Sequence, residues 1–80
     1  MNSEQVAALI RSVLPTAEVR VRSADDVHFD AVVIAAEFAG MRPIARHQLI
    51  YSGLGERMGR EVHAMSVKAY TPEEWSQVQV

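Results

Sequence analysis

Eighty residues leave room for one hydrophobic core, so the chain reads as a single domain over 1–80 that buries only about 60–65% of its unfolded surface. Hydrophobic residues make up 49% and charged residues 22%, which excludes disorder; the absence of cysteine excludes disulfides, thiolate metal sites and thiol chemistry and suits a reducing compartment. A formal net charge of −2 argues against strong attraction to nucleic acid or anionic membrane, although protonating all three histidines would swing it to +1.

No apolar run approaches the roughly 20 residues that a membrane-spanning helix needs. No basic patch precedes a hydrophobic segment at the N-terminus, so no secretory signal is expected and the chain is assigned to the cytoplasm.

Residues 2–14 form an amphipathic helix, with Val6, Leu9, Ile10, Val13 and Leu14 on one stripe. Asn2 and Gln5 have the spacing of a capping box, and Pro15 stops the helix. Residues 18–22 alternate, Glu18, Arg20 and Arg22 against Val19 and Val21, as a half-buried edge strand does. Ser23-Ala24-Asp25-Asp26 is a turn, and the next strand starts near His28 and is apolar without interruption from Ala31 to Ala36. A strand apolar on both faces belongs in the middle of a sheet, in a hairpin with its predecessor.

Gly40 ends that strand region, and Pro43 opens a helix carrying His47, Ile50, Tyr51, Leu54 and Met58 on one stripe. Gly53 and Gly55 predict a break, with a second short helical turn reaching Met58. A third strand runs from Val62 to Tyr70, and the helical crossover permits parallel, right-handed pairing with the second. Thr71 as N-cap, Pro72 at N1 and Glu74 at N3 start a last helix, which Trp75 anchors to the body. The order is α-β-β-α(α)-β-α, an α/β (α+β) fold of helices on a three-stranded mixed sheet.

Several spaced segments are similar to one known family. They are His28-Phe29-Asp30-Ala31-Val32-Val33, Phe38-Ala39-Gly40-Met41, Arg46-His47 with Tyr51 and Leu54, and the run from Val62 through His63 and Tyr70 to Trp75. Spanning about residue 3 to residue 75, they resemble the BolA family, and within it the short bacterial branch associated with acid stress. The resemblance implies a class II KH-like fold. It also implies partnership with a monothiol glutaredoxin, either apo or around a shared [2Fe–2S] cluster. In cluster-binding members a histidine matching His63 is one ligand, and a His or Cys between the first two strands is the other. Ser23 to Val27 contains neither, which leaves His28 at the loop's exit. Some members carry a basic C-terminal tail linked to nucleic-acid binding, whereas this chain ends Ser76-Gln77-Val78-Gln79-Val80.

Each candidate also has a plain structural reading. His63, on a strand face with Met65 and Val67, is either a hydrogen-bonded structural histidine or a ligand, and the resemblance favours the ligand. His28 is an exposed strand-end residue or the second ligand. Two imidazoles on one iron, with thiolates on the other, divide the ligands as in a Rieske centre and raise the potential. The isolated chain binds no cluster in this reading, because a partner and glutathione must supply the sulfur. His47 reads as structural. Arg42, Arg46, Arg57 and Arg60 read either as a basic patch for a partner or nucleic acid, or as ordinary solvated surface. Gly53-Leu54-Gly55 is not the G-x-x-G clamp of nucleic-acid-binding KH domains. No triad spacing, phosphate loop or HExxH is present, so an enzyme is not expected; Glu73 and Glu74 suit a helix start, and Tyr70 and Trp75 suit packing.

The sequence therefore points to an adaptor that binds a monothiol glutaredoxin, in iron–sulfur cluster handling or in iron or stress signalling. The alternatives are a KH-like regulator that binds DNA or RNA, and an apo interaction module whose histidines sense pH.

Overall fold

Asn2 opens the first helix as its spacing predicts: its side chain accepts the Gln5 N–H at 2.9 Å, and the Gln5 side chain accepts the Asn2 N–H at 2.9 Å. The computed structural model describes residues 1–58 and 64–78. Within them the order is α1 (Ser3–Val13), β1 (Glu18–Arg22), β2 (His28–Ile34), α2 (Pro43–Leu54), β3 (Ala64–Tyr70) and α3 (Pro72–Val78). Short 3-10 turns lie at Ala36–Phe38 and Gly55–Arg57. This is the mixed α/β, KH-like arrangement expected from the sequence. No helix of the described residues is long and apolar enough to cross a membrane.

The sheet order is β1-β2-β3, with β1 antiparallel and β3 parallel to the central β2. Alternation sorts the strands into two faces. Phe29, Ala31, Val33 and Met65 point inward and meet Val6, Ile10 and Leu14 of the α1 region and Ile50 and Leu54 of α2 in one buried cluster. Each fully buried Val, Leu, Ile or Phe side chain here contributes about 2 kcal/mol of transfer free energy, and the methyl of Ala31 well under half of that. The outer face carries Glu18, Arg20 and Arg22 of β1, His28, Asp30 and Val32 of β2, and Ala64, Ser66 and Lys68 of β3. Among the described residues only α3 returns across one end of that face, where Trp75 packs on Tyr70 with ring centroids 5.3 Å apart. The capping box of α3 is reciprocal: Thr71 Oγ1 accepts the Glu74 N–H at 3.2 Å, and Glu74 Oε1 accepts the Thr71 N–H at 2.8 Å.

Two boundaries differ from the sequence reading. The apolar run to Ala36 is not all strand: β2 ends at Ile34, and the chain tightens into the 3-10 turn that buries Phe38. Apolar composition alone does not separate a buried strand from a buried turn. The predicted break falls at Gly55 and not at Gly53, because α2 continues through Gly53 to Leu54, and the expected second short turn follows at Gly55–Arg57. Gly53 instead marks the close approach of α1, since a Cβ there would lie 2.5 Å from the Leu9 carbonyl oxygen. The helix ends at Gly55, whose φ of 55° is in the left-handed region that favours glycine.

Gly53→Ala sets two effects against each other. Helix propensity favours alanine by about 1 kcal/mol. Forcing a methyl against backbone costs about 1–3 kcal/mol. Contact with a main-chain carbonyl, which cannot rotate away, decides the sign, so urea denaturation should show a loss of stability rather than a gain.

Candidate functional site

The turn between β1 and β2 is organised by two side chains. The Ser23 hydroxyl donates to the His28 carbonyl at 2.6 Å and accepts the Asp26 N–H at 2.9 Å. Asp25 Oδ1 accepts the N–H groups of Val27 at 3.0 Å and His28 at 2.9 Å, the local side-chain-to-backbone bonding that lets Ser and Asp build turns. Asp26 occupies the left-handed region with φ of 58°, which aspartate tolerates better than most residues.

The second oxygen of Asp25 reaches the His28 ring, with Nδ1 to Oδ2 at 2.7 Å. The backbone N–H of His28, then its ring, hold the Asp25 carboxyl well below the usual carboxylate range. A carboxylate on Nδ1 fixes the tautomer that carries its proton there and leaves Nε2 to bind a metal or accept a proton. His28 is suited to either task, because its side chain is 66% exposed. It borders an open depression of about 450 Å³ lined by Arg22, Ser23, Ala24, Asp25 and Asp30.

The sheet register pairs His28 with Ala64, the residue that follows His63 in sequence. His63 and Arg60 themselves lie outside the described residues. Among the described residues no three His, Cys, Asp or Glu side chains converge as a metal site. A [2Fe–2S] cluster therefore fits this chain only as a shared group: an oriented imidazole is present, and no thiolate exists in the sequence.

The remaining sequence candidates are dispersed. His47 is half-buried on α2, edge-on to Tyr51 at 6.5 Å and 78°, and the Tyr51 hydroxyl donates to the Met65 carbonyl at 3.2 Å. It belongs to the helix layer, away from the sheet face that carries His28. Arg42 is the exposed N-cap of α2, whereas Arg57 lies beyond the other end of that helix, beside Met1 and Gln5 of the α1 region. A helix of 12 residues is about 18 Å long, so these two do not form one basic patch.

Arg46 corrects the sequence reading most clearly. Grouped there with surface arginines, it is turned inward, and its side chain is only 11% exposed. Its Nε donates to the Met41 carbonyl at 2.9 Å, and one terminal nitrogen donates to the Ala69 carbonyl at 3.2 Å and to Glu74 Oε1 at 2.6 Å. The guanidinium carbon lies 5.7 Å from the Phe38 ring centroid. Arg46 thus joins α2, the turn after β2, the end of β3 and α3. Its guanidinium, followed by the Thr71 N–H, holds the Glu74 carboxyl below its ordinary range. The sequence reading also missed Asp25, although an aspartate three residues before a candidate histidine, in a Ser/Asp turn, was an available signal.

Together these features define a small mixed α/β domain, with a helix-covered face and a solvent-facing sheet edged by an oriented histidine. The family model described as "BolA-like protein" matches residues 10–74, and the chain belongs to the BolA family. An Acinetobacter guillouiae protein, described as uncharacterized and from the rpoN-murA intergenic region, is 40% identical over 94% of this chain and 90% of its own length. The acid stress protein IbaG of Escherichia coli is 34% identical over 95% of this chain and 90% of its own length. The DNA-binding transcriptional regulator BolA of Vibrio cholerae is 39% identical over 64% of this chain, and the match spans only 48% of that regulator. Among solved structures, a BolA homologue from Coxiella burnetii superposes with a TM-score of 0.83 at 34% identity, covering 95% of this chain and 97% of that one.

Replacing Arg46 by Met keeps much of the aliphatic bulk but strands two carbonyls, and should lower stability by about 2 kcal/mol in urea denaturation. Arg46→Lys should recover only part of this, because an ammonium cannot reproduce the planar fork. The depressed carboxyls of Asp25 and Glu74 set an acid limb. The unfolded chain takes up protons there first, so stability should be fully present only above about pH 5 and fall as pH drops below it. Asp25→Asn and Glu74→Gln should each flatten that fall in urea midpoints measured across the acid range.

Proposed function

We propose that this chain is an adaptor that binds a monothiol glutaredoxin, either directly or around a shared [2Fe–2S] cluster, and so takes part in cluster handling or in iron or stress signalling. The reading follows the class of the family, whose relatives carry the names of regulators and of a stress protein rather than of enzymes. One observation carries it: His28 is exposed at the edge of the sheet and held by Asp25 with its second nitrogen left for a ligand. His63 is the principal ligand in this proposal and His28 the second.

When bound, a cluster held partly by histidine would supply one-electron chemistry, with this chain contributing imidazole ligands. Because the chain contains no cysteine, the glutaredoxin and glutathione supply the sulfur ligands. Asp25 would orient the imidazole, with its carboxylate on Nδ1 and Nε2 turned to the metal.

The second reading, a DNA-binding regulator, is favoured by the name of the Vibrio cholerae relative, of whose length this chain spans about half. The dispersal of Arg42, Arg46 and Arg57 places it second, since phosphate contacts require converging cations.

The test mixes the purified chain with a monothiol glutaredoxin, iron, sulfide and glutathione, followed by size exclusion and visible circular dichroism. A coloured heterodimer is expected, lost in His63→Ala and weakened or spectrally altered in His28→Ala. A colourless mixture that never co-elutes would overturn the proposal. Duplex DNA binding with a steep salt dependence would then support the regulator.

A further inference from the structure

The outer face of the sheet holds a second groove, adjoining the histidine turn and sharing Arg22 and Asp30 with the depression beside it, but argued without the glutaredoxin reading. Two adjacent rows cross the three strands there, Arg20–Val32–Lys68 and Arg22–Asp30–Ser66. Strands about 4.8 Å apart place the Cα atoms of Arg20 and Lys68 roughly 10 Å from one another, with half-buried Val32 as the floor between them. Trp75 of α3 forms the end wall. The Arg20 guanidinium carbon lies 5.2 Å from the indole centroid, and Glu18 steadies Arg20 by accepting from its Nε at 2.7 Å. The Ser66 hydroxyl donates to Asp30 Oδ1 at 2.6 Å on the floor. The resulting groove has a volume of about 450 Å³, within the range of small-molecule sites.

Charge and shape give the groove a chemical preference. Three cations face the single carboxylate of Asp30, and an excess of one remains when Glu18 is counted, on a chain whose formal net charge is −2. The ion pairs among the described residues are Arg20–Glu18, His28–Asp25 and Arg46–Glu74, so Arg22 and Lys68 enter none of them. An anion alone would use the cations and not the indole. An apolar ring alone would use the indole and not the cations.

We propose that this groove binds a nucleotide, a planar base joined to a phosphate. The base lies along the wall formed by Trp75 and the guanidinium of Arg20, surfaces on which nucleobases stack. The phosphate takes charge-assisted hydrogen bonds from Arg22 and Lys68. Asp30, an acceptor with capacity beyond its bond from Ser66, receives a ribose hydroxyl or an exocyclic amine. The nucleotide comes either free or as one unit of a single strand; duplex DNA hides its base faces and does not fit.

Trp75 is the only tryptophan in the chain, so its fluorescence reports the groove directly. The full chain is titrated with AMP, adenosine, inorganic phosphate, a single-stranded oligothymidylate and a short polyglutamate peptide. AMP should change the emission saturably, with adenosine and phosphate each at least about tenfold weaker. Lys68→Gln and Arg22→Gln are exposed changes that leave the core intact, and each should weaken AMP by about tenfold, the effect of one charge-assisted contact. Arg42→Gln, at the start of α2, should leave the affinity unchanged. If the oligothymidylate binds more tightly per nucleotide than AMP, with the same loss in the two groove variants, a single strand is the source. AMP binding more tightly than any oligonucleotide assigns the free nucleotide. No saturable emission change, equal binding of polyglutamate and AMP, or indifference to Lys68→Gln and Arg22→Gln overturns the proposal.

Discussion

The structure depends on the central strand β2. Its backbone is bonded on both sides, antiparallel to β1 and parallel to β3, and its side chains alternate between a buried and an open face. Because the period is two, a slip of one residue would move Phe29, Ala31 and Val33 into solvent and His28, Asp30 and Val32 into the core. Burial of the apolar set against α1 and α2 therefore fixes the register, and the register places the polar chemistry of the chain on the other face.

Stability and chemistry are divided accordingly. The helix-covered side is apolar; among the described residues it contains no fully buried charge. Charge enters the architecture at Arg46, where one side chain serves two carbonyls and a carboxylate from three parts of the chain. Truncating such a group leaves its partners unsatisfied, so it is more consequential than an exposed ion pair of the same geometry. Glu18 and Arg20 are both half-exposed, and their pair acts by orienting the guanidinium over Trp75 more than by stabilising the fold.

On the open face, short-range turn chemistry does what long-range packing does elsewhere. Ser23 and Asp25 satisfy the backbone of their own loop, and with one oxygen left Asp25 orients the ring of His28. An exposed histidine anchored in this way keeps one nitrogen committed and one presented without being buried, which suits a residue that must meet a partner's group at a surface.

The element order, both capping boxes, the central position of β2 and the anchoring of α3 by Trp75 were legible in the sequence, because each rests on local spacing or on the face a strand must bury. His28 was legible as a candidate only through the family pattern, since one imidazole specifies nothing by its position. Tertiary structure alone decided the rest. Gly53 is a contact with Leu9 of another helix, Arg46 is an internal tie, and Arg20, Arg22 and Lys68 share a groove with Trp75; each depends on residues far apart in the chain. A linear pattern encodes which face a residue takes on its own element, whereas what that face meets follows from how the elements pack.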